Sequence, residues 1–84
     1  MNGSSLIDDV IAVVTATLDI EDRRASFDAN TQLLDSLPEL DSMAIVEIIT
    51  VLEDRFGITI DEDDITGEVF ESIGTLAFFV EQQR

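Results

Sequence analysis

The stretch Ser42-Met43-Ala44-Ile45-Val46-Glu47-Ile48-Ile49-Thr50-Val51-Leu52-Glu53-Asp54-Arg55-Phe56, closed by Gly57, decides the fold. Stepping about 100° per residue, Ile45, Ile48, Ile49, Leu52 and Phe56 fall in one sector roughly 100° wide, the pattern of a helix that buries one stripe. Met43, Val46, Glu47, Thr50, Glu53 and Asp54 occupy the opposite sector, so a core face and an acidic outer face belong to the same element. Gly57 stands where a left-handed residue ends a helix.

Working outward, a second helical pattern precedes this one. Ile7, Val10, Ile11, Val14 and Leu18 keep helical spacing after Ser4 or Ser5, either of which can cap, and Asp8 and Asp9 in the first turn suit the helix dipole. Residues 1–4 are expected to form a flexible tail. Between the two helices lies a long connection, Asp19 to Asp41, with no sustained period and with Asn30-Thr31 and Pro38 as punctuation. Its apolar residues Ile20, Phe27, Leu33, Leu34, Leu37 and Leu40 are expected to pin it to the helices, because a loop this long in a small domain is either functional or packed.

Downstream of Gly57, Ile58-Thr59-Ile60 alternates like a strand but is too short and solitary for a sheet, so its isoleucines anchor an extended loop. Asp61-Glu62-Asp63-Asp64 invites a calcium reading, yet an EF-hand loop opened at Asp61 needs Gly where Thr66 stands and Glu where Ser72 stands. The run therefore reads as a solvated loop with weak affinity for divalent ions, and no metal site is assigned. Thr66 is placed to cap a short helix through Phe70, and Ser72 a last helix carrying Ile73, Leu76, Ala77, Phe79 and Val80. The expectation is an all-α fold: a small bundle of three main helices plus one short helix, with a long loop between the first two.

Composition bounds the function. The 84 residues make one domain spanning 1–84, and 45% apolar residues suffice for one core. With no Cys there is neither a disulfide framework nor a thiolate metal site, which points to a reducing compartment and a cytoplasmic protein. The apolar residues Val10 to Leu18 follow Asp8 and Asp9 where a signal peptide carries Lys or Arg, and no apolar run is long enough to span a bilayer. Four Arg and no Lys against 19 acidic residues give a net charge of −15. Nucleic acid and anionic lipid surfaces are therefore disfavoured as partners, since binding either requires cationic groups. Such a charge also keeps a small protein soluble and monomeric. Between Glu39 and Glu71 there are eleven acidic residues and one Arg, a net of −10, and this clustering favours a partner with a basic docking patch.

The remaining clue is Ser42, in Leu40-Asp41-Ser42-Met43, at the start of the acidic helix. A chain with no His and no Cys offers this hydroxyl no ordinary general base, so Ser42 reads as an attachment point rather than a nucleophile. Together with Leu52-Glu53-Asp54-Arg55-Phe56-Gly57-Ile58, Asp64-Ile65-Thr66 and the helices at either end, the chain resembles the acyl carrier proteins and the related peptidyl carrier domains over nearly its whole length. The resemblance implies a 4′-phosphopantetheine arm, transferred from coenzyme A and joined to Ser42 through a phosphodiester. Acyl groups ride on its thiol as thioesters, and the protein is a non-catalytic carrier. Its implied partners are a phosphopantetheinyl transferase and acyl-activating, acyl-transferring or condensing enzymes with basic patches. Asp41 would cap the helix and mark the site. Glu47, Glu53 and Asp54 would meet basic residues of the partners, with Met43, Val46 and Thr50 on the same outer sector.

Two positions depart from the family's subtypes. Carriers of fatty-acid synthesis usually have an acidic residue two positions after the modified serine, and here Ala44 stands there; peptidyl carriers usually have Gly-Gly before theirs, and here Pro38-Glu39-Leu40 occurs. A carrier serving specialised polyketide, fatty-acid or lipid-related metabolism fits these residues better. Two other classes account for less of the sequence. An unmodified acidic helical module binding a basic partner explains the charge but leaves the setting of Ser42 and the outward Met43 and Val46 as coincidences. An enzyme using the neighbouring carboxylates of Glu53 and Asp54 would need environments that separate their pKa values, which one exposed helix face does not supply.

Overall fold

The computed structural model describes residues 3–34 and 40–83. Three α-helices carry the fold: α1 (Gly3–Thr17), α2 (Ser42–Phe56) and α3 (Ile73–Gln83). α1 packs against both of the others. That double duty explains why its buried stripe is broader than the spacing predicts, taking in Leu6 and Val13 beside Val10, Ile11 and Val14. Thr15 is fully buried as well, its hydroxyl satisfied by donating to the Ile11 carbonyl at 2.8 Å. α1 begins at Gly3, so Ser4 and Ser5 lie inside the helix rather than capping it, and of the expected tail only Met1 and Asn2 fall outside the described residues.

At its other end α1 closes through Asp19, which adopts φ 60°. The Asp19 N–H donates to the Ala16 carbonyl at 3.2 Å and the Ile20 N–H to the Thr15 carbonyl at 2.8 Å, the paired bonds of a Schellman cap built without glycine. Asp is among the few residue types that tolerate this conformation. The cap turns Ile20 into the core.

The long connection holds a 3-10 helix, Glu21–Ser26, none of whose residues is buried. An exposed element has no apolar period to announce it. Beyond it an Asx turn forms at Asp28, whose carboxylate accepts from the Asn30 N–H at 2.9 Å. Residues 29–34 then run antiparallel to residues 70–74. Leu33 and Leu34 N–H donate to the carbonyls of Glu71 and Phe70, while Ile73 and Gly74 N–H donate to those of Thr31 and Ala29, with Gln32 and Ser72 bridged between them. The chains approach so closely that a Cβ on Gly74 would sit 2.9 Å from the Ala29 carbonyl oxygen, which is why glycine stands there. Leu33 and Leu40 are buried and Phe27 packs against the core, whereas Leu34 is exposed. Leu37 and Pro38 lie outside the described residues.

The short helix expected from Thr66 is not where the spacing placed it. Residues 67–70 form turns, with the Val69 N–H on the Thr66 carbonyl and the Glu71 N–H on that of Glu68. The short helical turn comes earlier, as a 3-10 helix at Glu62–Asp64. The turns drive Phe70 inward, where it is 1% exposed, the largest of the fully buried side chains. Ser72 caps α3 reciprocally: its hydroxyl accepts from the Thr75 N–H, and the Thr75 hydroxyl accepts from the Ser72 N–H at 2.9 Å. Among the described residues no helix is long and apolar enough to cross a membrane.

Candidate functional site

α2 presents its start to solvent. Asp41 is the N-cap, its backbone extended and its carboxylate accepting from the Ala44 N–H at 2.8 Å. The Ile45 N–H closes the first helical bond on the Asp41 carbonyl. Ser42 is thus the first residue inside the helix, relieved of capping, with its side chain exposed. Ser26 and Ser72 differ: the Ser26 hydroxyl donates to the Arg23 carbonyl and that of Ser72 caps α3.

The two main helix starts downstream of the loop make an instructive contrast. At α3 the first N–H groups are taken up in turn by Thr31, Ala29 and the Ser72 hydroxyl, so nothing remains for a ligand. At α2 Asp41 satisfies the third N–H, while those of Ser42 and Met43, which have no intrahelical partner by geometry, meet no acceptor among the described residues. Two N–H donors that meet no acceptor among the described residues, and the positive end of the helix dipole, lie beside an exposed hydroxyl and suit an anionic phosphodiester.

The core stripe of α2 is as spaced: Ile48, Ile49 and Leu52 are buried, Ile45 and Phe56 pack against the core, and Gly57 ends the helix at φ 64°. On the outer sector Met43 is 76% and Val46 62% exposed, so both are available to a partner. Asp54 is exposed too. The other outer residues are less free than their charge or polarity suggests. Thr50 turns its hydroxyl back onto the Val46 carbonyl at 2.9 Å. Glu47 lines a groove between α1 and α2 together with Val51, Arg24 and Arg55, so this side of the outer face is mixed in charge rather than uniformly acidic. Arg55 also pairs with Asp9 of α1 at 3.2 Å, an exposed bridge of small energetic value.

Glu53 has a structural task that its position on the outer sector concealed. Its carboxylate accepts from the Ile60 N–H at 2.7 Å, and its carbonyl accepts from Gly57 and Ile58. One residue thereby ends α2 and draws in the loop that seats Ile60 in the core. Glu53→Lys should cost about 1–3 kcal/mol by leaving a half-buried N–H unpaired, and Glu53→Gln less, since its amide oxygen still accepts. Urea unfolding midpoints of the two variants check this ordering. Among the described residues no three carboxylates converge to hold a metal ion.

With this geometry in place, comparison with known proteins is decisive. Residues 8–80 match the family model for the phosphopantetheine attachment site. The chain belongs to that family. A solution structure of a holo acyl carrier protein from Nitrosomonas europaea is 39% identical and superposes with a TM-score of 0.84, covering 90% of this chain and 92% of the other. The chain therefore has the acyl carrier fold, its prosthetic group is 4′-phosphopantetheine, and it is a non-catalytic carrier that partners a phosphopantetheinyl transferase and acyl-handling enzymes.

Proposed function

We propose that Ser42 bears the 4′-phosphopantetheine arm, and that this carrier presents acyl thioesters to successive enzymes of specialised polyketide, fatty-acid or lipid-related metabolism. The observation that carries the assignment is the division of labour at the start of α2: Asp41 does the capping, leaving an exposed Ser42 hydroxyl beside two N–H donors that no described residue takes up. When bound, the arm supplies the thiol that this chain lacks. The chain's own residues hold and present it. Ser42 and Met43 N–H groups would receive a phosphate oxygen, and the Asp41 cap fixes their direction. Met43 and Val46 offer apolar contact next to the arm, while Glu47 and Asp54 steer basic partners and allow quick release. Glu53 contributes charge to the same face, but its carboxylate oxygen on Ile60 makes loop anchoring its first role.

The specialised pathway rests on Ala44, which is 7% exposed. A carboxylate at that position, where fatty-acid-synthesis carriers usually have one, would lose its hydration against the core unless paired. The carrier acts as a cytoplasmic monomer, consistent with a net charge of −15 that opposes self-association.

Transferase kinetics test the docking face. Val46→Ala and Glu47→Lys should slow modification by a broad-specificity phosphopantetheinyl transferase several-fold at low salt, with melting temperature unchanged. Asp8→Lys, an exposed change on α1, should not. Equal slowing by Asp8→Lys would mean that the docking face has been misplaced.

A further inference from the structure

The arm and its docking face leave one apolar surface without a role. Of the five phenylalanines, Phe70 is buried and Phe27, Phe56 and Phe79 pack against the core, but Phe78 is 64% exposed. It lines a groove between α3 and the turns that precede it, walled on the other side by Thr66, Glu68, Val69 and Glu71. No residue of this groove lies on α2. Gly74, Phe78 and Gln82 follow one another at four-residue intervals, so the groove runs lengthwise along α3. A neighbouring, mostly polar hollow lined by Gln32, Leu34 and Gly67 shares Glu68 and Glu71 with it.

Charge decides what the groove can receive. Its ionisable lining residues are Glu68 and Glu71, both exposed, with no cation among them. An anionic lipid surface or a second copy of this chain, itself at −15, would meet repulsion there. A helix with an apolar stripe flanked by Arg or Lys matches both the shape and the sign of the groove.

We propose that Val69, Phe78 and Phe79, rimmed by Glu68 and Glu71, form a second docking site that takes a cationic amphipathic helix of a partner protein. The site does not depend on which residue carries the arm. It would let one enzyme hold the carrier by α3 while the start of α2 stays open to its active site.

The test is an NMR titration of isotope-labelled Ser42→Ala protein, which bears no arm on α2, with a synthetic helical peptide whose leucine stripe is flanked by arginines. Amide shifts should concentrate at residues 66–71 and 74–82 and saturate. Phe78→Ala should weaken binding about tenfold, as truncating an aromatic anchor does, without lowering the melting temperature. A double Glu68→Lys, Glu71→Lys variant should remove the salt dependence, and the same stripe flanked by glutamates should not bind. Shifts confined to α2, or unchanged affinity in Phe78→Ala, would overturn the proposal. So would binding to vesicles of anionic phospholipid, or a concentration-dependent dimer that Phe78→Ala dissociates. The transferase rates of Phe78→Ala should match those of the unmutated chain, which separates this surface from the α2 face.

Discussion

Phe70→Ala should bring the domain to the edge of unfolding at 25 °C, with about 0–2 kcal/mol of stability left. The side chain is 1% exposed and sits where the turns at 67–70 bring the chain back to the core. Truncating a buried phenylalanine costs about 3–5 kcal/mol in lost transfer energy and in the cavity left behind. A domain of this size holds only about 5 kcal/mol in total. The loss is not local, because the Phe70 carbonyl accepts from Leu34 and the neighbouring Glu71 carbonyl from Leu33. Losing the anchor releases the long loop and, with it, the partners of the first N–H groups of α3. Circular dichroism melting should show the loss. Phe78→Ala, the same chemical change eight residues on but at the surface, should stay within about 0.5 kcal/mol of the parent.

Ser42→Ala should abolish attachment of the arm and leave the fold intact. The Asp41 carboxylate, not the Ser42 hydroxyl, holds the Ala44 N–H, so the variant keeps its cap. Alanine is also a better helix former than serine at a helical position. The melting temperature should therefore be equal or slightly higher, while incubation with coenzyme A and a transferase adds no mass. The opposite substitution pattern tests the cap itself. Asp41→Ala should cost about 0.5–2 kcal/mol by freeing the Ala44 N–H, yet still leave Ser42 in place to be modified.

How much of this was legible differs from element to element, for physical reasons. α2 could be read because its residues alternate between core and solvent with the helical period, and Gly57 and Ser72 announce their helix ends by chemistry that only certain residues can perform. The burial of α1 is broader than its period indicates because periodicity reports one face, whereas α1 serves two neighbours. The antiparallel pairing of residues 29–34 with 70–74 left no trace in the pattern, since it is made by backbone groups of a loop and a helix start. Gly74 was its one available sign, and a glycine inside a helical stretch is a sign only in hindsight. The Glu21–Ser26 helix was invisible because it buries nothing.

At the site, the exposure of Met43 and Val46 follows from position alone, whereas the Asp41 cap comes with the family resemblance. The surroundings of Glu53 and Glu47 follow from neither. Helical periodicity places a side chain on a sector, but it cannot say that a loop folds back to donate a hydrogen bond to the Glu53 carboxylate, as the Ile60 N–H does, or that two arginines share the groove of Glu47. Ser42 itself was singled out by its setting and by family resemblance rather than by any spacing rule.

On the proposed assignment, one serine at the start of α2, Ser42, carries the arm. The direct measurement is fragment-mapped mass spectrometry of the unmutated protein after incubation with coenzyme A and a broad-specificity phosphopantetheinyl transferase. A single phosphopantetheinyl group should be found, on the fragment containing Asp41-Ser42-Met43 and localised to Ser42. The group on any other residue, or no mass gained with several competent transferases, would contradict it.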